Sequence, residues 1–197
     1  MLAPTVGRGL SIFGEPMIIY FINMSNLYSG KGDKGRTELF DGQKVSKSSD
    51  VIEALGCLDE LTSLLGIVRA RSDVEIAEKI LAVQENLFLI QAVIAGSPKE
   101  FSDDKVKKME DEIDAIENLL PDIKTFIIPG GDEESAWLDF ARAVSRRTER
   151  ELLRYREAGG GVPPPALVYL NRLSSFFYSL ARLTSHKKAL IEKAPRY

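Results

Sequence analysis

Ser29–Thr37 reads SGKGDKGRT, and the interpretation of these nine residues decides the fold. Glycine lets a backbone turn its N–H groups toward a ligand, and Lys31, Lys34 and Arg36 add positive charge around them. That composition suits a grip on polyphosphate, and it equally suits a solvated surface loop. Gly30, Gly32 and Gly35 spell GxGxxG, the dinucleotide fingerprint, and Gly30–Thr37 is one substitution from a Walker A loop. Both motifs have meaning only between a strand and a helix of a βαβ unit. The residues that follow, Glu38–Gln43 (ELFDGQ), are too short and turn-rich to be that helix, and Arg36 stands where Walker A requires lysine. Both nucleotide-binding folds are therefore rejected, while the phosphate chemistry is kept.

Outward from this loop, the chain has 197 residues, 44% of them hydrophobic, enough for one substantial core. A formal charge of -3 argues against nucleic acid as the main partner. The single cysteine, Cys57, excludes an internal disulfide and a cysteine-cluster zinc site, and the single histidine, His186, disfavours a histidine metal site or a triad. Any metal is expected to be hard, oxygen-bound and carried with phosphate, as Mg²⁺ is. The apolar run Met17–Ile22 is too short to span a bilayer and follows Glu15 instead of a basic segment. A cytoplasmic location with no membrane partner is expected. Residues 1–27 are read as an extension or arm, as a short strand, or as the product of an early start codon, with Met24 an alternative start.

Beyond the loop, taken as residues 28–47, a helical domain is expected over 48–190, followed by a tail over 191–197. Ser48-Ser49-Asp50 opens a helix to about Arg71, with Val51, Ala54, Leu55, Leu58, Leu61, Leu65 and Val68 on its apolar face. Gly56 and Gly66 within it imply close packing against the backbone. Asp73 caps a second helix to about Ala95, and a third runs from Ser102 to Leu120. After Thr125–Gly131 (TFIIPGG), a fourth helix covers Asp132–Glu157, and Pro164 or Pro165 opens a fifth to about Lys188. Long helices with short connections indicate an all-α, five-helix up-down bundle.

On the fourth helix, Trp137, Phe140, Ala141, Val144, Thr148 and Tyr155 form the stripe expected to face the core. Arg142, Arg146 and Arg150 line the opposite face, with Asp139, Glu149 and Glu151 as local partners. Leu153 among them suggests a covered face, where arginines can hold phosphate oxygens in bidentate fashion. Asn171 and Arg172 interrupt the apolar fifth helix and need hydrogen-bond partners, for structure or for nucleotide recognition. Asp59, in an otherwise apolar helix, calls for a cation. His186 reads as a helix-dipole partner and Cys57 as a core thiol.

Five stretches in order resemble one family, the PduO-type ATP:cob(I)alamin adenosyltransferases. They are YSGKGDKGRT (Tyr28–Thr37), DEL (Asp59–Leu61), FIIPGG (Phe126–Gly131), the set Arg142, Arg146, Arg147, Glu149 and Arg150, and NRLS (Asn171–Ser174). The resemblance implies a ferritin-like helical bundle forming a homotrimer with active sites between subunits, and transfer of the 5′-deoxyadenosyl group of ATP to cob(I)alamin. It assigns Ser29, Lys31, Gly32, Asp33, Lys34, Gly35 and Thr37 to the ATP phosphates. Arg146 and Asn171 would contact ATP from the bundle, and Glu149 would lie near the nucleotide or its Mg²⁺. Asp59 and Arg142 would pair across the interface, and Phe126 would press on the lower corrin face and exclude the axial base. Arg146, Phe126, Asp59 and Arg142 form the expected catalytic set. A corrinoid reductase and an adenosylcobalamin-dependent mutase are the implied protein partners. The family's Thr-Lys after tyrosine is Ser29-Gly30 here, so Lys31 has to substitute for a phosphate-binding lysine. The alternative is a non-catalytic cobalamin- or nucleotide-binding bundle, a carrier or assembly protein.

Overall fold

The chain is described by a computed structural model covering residue 28 and residues 30–196. The expected arm over 1–27 and Ser29 lie outside the described residues.

Five helices form where the apolar periodicity and the breakers place them: α1 (Asp50–Arg71), α2 (Val74–Ile94), α3 (Asp103–Glu117), α4 (Glu133–Glu157) and α5 (Pro164–Lys187). The third stops at Glu117, three residues short of the expected Leu120, because the chain tightens into turns through Leu119 and Leu120 ahead of Pro121. Asp73 caps α2 by accepting the Ile76 N–H at 2.9 Å. At α4 the Ser135 N–H donates to Asp132 at 2.8 Å while the Asp132 N–H donates to Ser135 Oγ at 3.1 Å. Two orphan donors are thereby satisfied reciprocally.

Helix α1 packs on α2 and α4, α4 on α5, and α5 on α3, so the spatial order is α2-α1-α4-α5-α3. The core gathers Leu58, Leu61 and Leu65 of α1, Ile76, Ile80 and Leu87 of α2, Leu138 and Leu152 of α4, and Tyr169, Leu170 and Phe177 of α5, all fully buried. Each such apolar side chain contributes about 1.5–3 kcal/mol on leaving water. The α4 stripe needs one correction. Phe140 is 53% exposed, and Leu138, Ser145 and Leu152 are buried beside Ala141, Val144 and Thr148. Trp137 and Tyr155 pack half-buried against the core, so the expected stripe holds apart from Phe140.

The glycine-rich loop leads into a small hairpin that the helical reading did not anticipate. Strand β1 (Arg36–Glu38) pairs antiparallel with β2 (Lys44–Ser46), Thr37 opposite Val45. Within ELFDGQ, Glu38 ends β1 and Leu39–Gln43 form the turn: the Leu39 N–H donates to Gln43 O at 2.9 Å and the Gly42 N–H to Leu39 O at 3.0 Å. Leu39 and Val45 pack on the core, and the Asp41 N–H reaches Ala95 O at 3.3 Å, which seats the hairpin at the end of α2.

Asp132 supports α4 through charge as well as its cap. Burial alone would raise its carboxyl, but hydrogen bonds from Lys188 and from Ser135 hold it below the usual carboxylate range. Its contribution is therefore complete above the ordinary aspartate pKa of about 3.9 and is lost as pH falls through the lower folded value. Asp132→Ala is expected to reduce stability by about 1 kcal/mol at pH 7 and by less below pH ~3. Urea unfolding of both proteins across pH checks this.

Candidate active site

Within the glycine-rich loop, backbone hydrogen bonds fold the chain tightly: the Asp33 N–H donates to Gly30 O at 3.3 Å, and the Gly35 N–H to Gly32 O at 3.1 Å. Gly30 and Gly35 take positive φ, +67° and +72°, a conformation that side chains resist. A Cβ at Gly32 would meet Lys47 Nζ at 2.8 Å, so a further cation sits against the loop. Lys31, Asp33 and Lys34 are exposed, and Thr37 is half-buried in β1. Glycine and lysine thus build a small cationic turn with exposed Lys31 and Lys34.

A second cluster spans α3, α4 and α5. Arg172 Nε donates to Glu110 at 2.8 Å, Arg172 Nη1 to Asn171 Oδ1 at 2.9 Å, and Asn171 Nδ2 to Glu149 Oε1 at 2.8 Å. This relay fixes both Asn171 and Glu149. Asn171 is exposed, contrary to the expectation of a buried polar interruption, because it lies on the edge of α5 that α4 leaves open. The neighbouring arginines divide their work. Arg147 pairs with Glu60 of α1 at the surface and lies 4.0 Å from Cys57 Sγ, and the Glu60 hydrogen bond holds its guanidinium pKa above the ordinary range. Arg146 is exposed, and among the described residues its side chain has no hydrogen bond or ion pair.

A third feature is a cavity of about 820 Å³ between the Ile123–Ile127 segment and α4–α5. Phe126 stands at its wall, 80% exposed, and Arg142, Asp139, Ser174, Ser175 and Tyr178 complete it. Arg142 Nε donates to Asp139 at 2.9 Å within the same helix, and burial raises the Tyr178 hydroxyl pKa. The space is apolar at Ile123, Phe126 and Ile127 and polar at Asp139, Arg142, Ser174 and Ser175. Asp139, Ser175 and Tyr178 were not singled out in the sequence as cavity residues. The signal available was helical spacing, since Ser174, Ser175 and Tyr178 fall three, four and seven positions after Asn171 on α5.

Asp59 differs from its expectation within one chain. It is exposed and, among the described residues, has no ion pair. It borders a shallow groove with Phe40, Ile52, Leu55, Gly56 and Phe88. The close packing inferred at Gly56 is likewise absent in the single chain, where a Cβ would meet nothing within 4 Å, whereas a Cβ at Gly66 would lie 3.9 Å from Gln84 Nε2. Among the described residues, no group of three or more His, Cys, Asp or Glu could hold a metal, and no helix is long and apolar enough to cross a membrane.

A cationic glycine turn, an arginine–glutamate–asparagine face and a half-apolar cavity are the surfaces that this chain offers to ligands. The model of the cobalamin adenosyltransferase family matches residues 27–184, and the chain belongs to that family. A corrinoid adenosyltransferase of Citrobacter freundii is 34% identical over 168 residues, 81% of this chain and 95% of that protein. The longer corrinoid adenosyltransferase PduO of the same organism is also 34% identical, over 87% of this chain, which spans 54% of its length. Among solved structures, a phenylalanine-to-alanine variant of the PduO-type ATP:corrinoid adenosyltransferase from Lactobacillus reuteri, complexed with cobalamin and ATP, superimposes with a TM-score of 0.82. It is 25% identical, and the match covers 87% of this chain and 100% of that one.

Cys57 takes no part in these clusters. It is 3% exposed, and burial pushes its thiol pKa up, so less thiolate is present at a given pH than in a free cysteine. Titration with a disulfide reagent at pH 8 is expected to leave Cys57 unmodified in the folded protein and to modify it fully in denaturant.

Proposed function

We propose that this chain transfers the 5′-deoxyadenosyl group of ATP to cob(I)alamin, forming adenosylcobalamin and releasing triphosphate, at sites shared between subunits of a homotrimer. The observation that carries the reading is Phe126. A large apolar ring held 80% exposed on the wall of an 820 Å³ cavity, across from Arg142, has no structural reason within the chain. Against the lower face of a corrin it displaces the axial base and makes Co(II) easier to reduce.

Triphosphate is gripped by the turn at Gly32–Gly35 with Lys31, Lys34 and Thr37, and by Arg146 from the bundle. Lys47 Nζ, beside Gly32, supplies a further cation where Gly30 replaces the family's lysine. Asn171 and Glu149 orient the nucleotide. Glu149 also fits as the single carboxylate toward phosphate-bound Mg²⁺, since its second oxygen is left open by the Asn171 bond and Mg²⁺ retains most of its other ligands from phosphate and water. When bound, that ion would share in neutralising phosphate charge.

Cob(I)alamin is itself the nucleophile. Its cobalt electron pair forms the bond to C5′ of ATP while the C5′–O bond breaks and its electrons leave on triphosphate. No protein base is required, consistent with the inert Cys57 and the placement of His186 at the end of α5. The chain supplies alignment of the two reactants and stabilisation of the leaving charge by Arg146 and the basic turn. Asp59 and Phe88 line the groove that a neighbouring subunit covers, with Arg142 of that subunit expected at Asp59. A cytoplasmic location and exchange with a corrinoid reductase and an acceptor mutase belong to the same reading.

Anaerobic mixing of the protein with reduced cobalamin and MgATP is expected to convert Co(I) to light-sensitive adenosylcobalamin; binding of both ligands without turnover would favour a carrier. Phe126→Ala is expected to slow adenosylation started from Co(II) far more than ATP binding, and equal losses in both would remove the assigned role. Asp59→Ala is expected to weaken the trimer, measured by sedimentation at falling protein concentration. A wild-type assembly and wild-type activity would make Asp59 a solvated surface group.

A further inference from the structure

The segment that carries Phe126, residues 121–129, contains neither helix nor strand. Among the described residues, two hydrogen bonds tie it to the rest of the molecule. At one end Arg182 Nη2 donates to Pro121 O at 2.9 Å. At the other the Ile128 N–H donates to Lys193 O at 2.8 Å. The second anchor belongs to the C-terminal tail, which has no regular structure of its own. That tail is held by the same arginine: Arg182 Nε donates to Glu192 Oε1 at 3.0 Å and Nη2 to Glu192 Oε2 at 3.3 Å.

Arg182 is 7% exposed, at the last turns of α5, and its planar fork addresses the two irregular segments at once. Neither segment is ordered by secondary structure, so each loses chain entropy that the Arg182 bonds and the Ile128–Lys193 bond help to offset. They enclose a cavity of about 560 Å³, walled by Ile127–Gly131 on one side and by Ala189–Lys193 on the other. Phe126 lies two residues from the Lys193 anchor.

We propose that Arg182 and Glu192 are a positioning pair for the reaction, fastening the C-terminal tail as a brace that sets the height of Phe126 over its cavity. The proposal rests on the corrin-facing reading of Phe126. Neither residue touches substrate. An apolar ring excludes an axial base only when it occupies the base's place, and displacements near 1 Å at such a point change rates by up to about a hundredfold. Removing Glu192 leaves a buried guanidinium without its counter-charge, which loosens both anchors together.

The test compares Glu192→Ala, Glu192→Gln and Phe126→Ala, with thermal melting to confirm folding. Two quantities are read with MgATP saturating. One is the fraction of bound Co(II) cobalamin lacking its axial base, by electron paramagnetic resonance. The other is the rate from Co(II) plus a one-electron chemical reductant, divided by the rate from pre-reduced Co(I). Glu192→Ala is expected to lower the base-free fraction and to reduce the rate ratio about tenfold. Glu192→Gln recovers most of both, because its amide oxygen still accepts from the guanidinium. A wild-type signature in Glu192→Ala, alongside its loss in Phe126→Ala, overturns the positioning role and leaves Phe126 in place. Wild-type signatures in both variants overturn the reading of Phe126 itself. Equal slowing of the Co(I) and Co(II) routes in Glu192→Ala would make the pair a folding or binding element and also defeat the proposal.

Discussion

Helix α5 is buried on every side but the edge of Val168, Asn171 and Ser175, and the rest of the bundle follows from that constraint. Leu170, Leu173, Phe177 and Leu180 are fully buried, so α4 has to cover one flank and α3 the other. Burying a helix so completely makes its few polar groups specific. Arg172 must reach Glu110 on α3, Arg182 must reach Pro121 O and Glu192, and Tyr169 receives the Asn86 Nδ2 hydrogen at 3.1 Å. Each of these bonds fixes an element that would otherwise slide on an apolar surface.

The chemistry is built at the margins of this core. The groups assigned to ligand lie at exposed or half-buried positions: the cationic turn before β1, Arg146 and Glu149 on α4, Asn171 on α5, and Phe126 in the segment before α4. Among the described residues, no hydrogen bond joins Arg146 or Phe126 to the glycine turn. Their placement leaves these groups accessible to ligand in the site proposed between subunits. It also suits an ATP-dependent adenosyltransferase, whose corrinoid substrate supplies the nucleophile and whose protein supplies geometry and charge.

Rigidity is distributed accordingly. Caps at Asp73 and Asp132, the Arg147–Glu60 clamp and the Arg69–Gln84–Thr62 contacts make the bundle a fixed frame. The irregular 121–129 segment and the tail are held by far fewer bonds. Elements that must admit and release a large planar ligand are drawn from the weakly held part of a fold.

The sequence by itself determined the five helices, nearly to the residue, because apolar periodicity, Asp and Ser caps, and Gly and Pro breakers act over a few residues of local chain. It also determined the family, through five ordered motifs, and its single cysteine excluded an internal disulfide. Tertiary structure alone decided the rest. It turned Phe140 outward and brought in Leu138 and Leu152, since which positions of α4 are buried depends on the helices that cover it. It exposed Asp59 and Asn171, made residues 39–43 a hairpin turn, placed Tyr178 beside Phe126, and joined Arg182 to Glu192 and Pro121. These depend on which surfaces meet after the chain has folded back on itself, and a local pattern carries no record of distances between residues far apart along it.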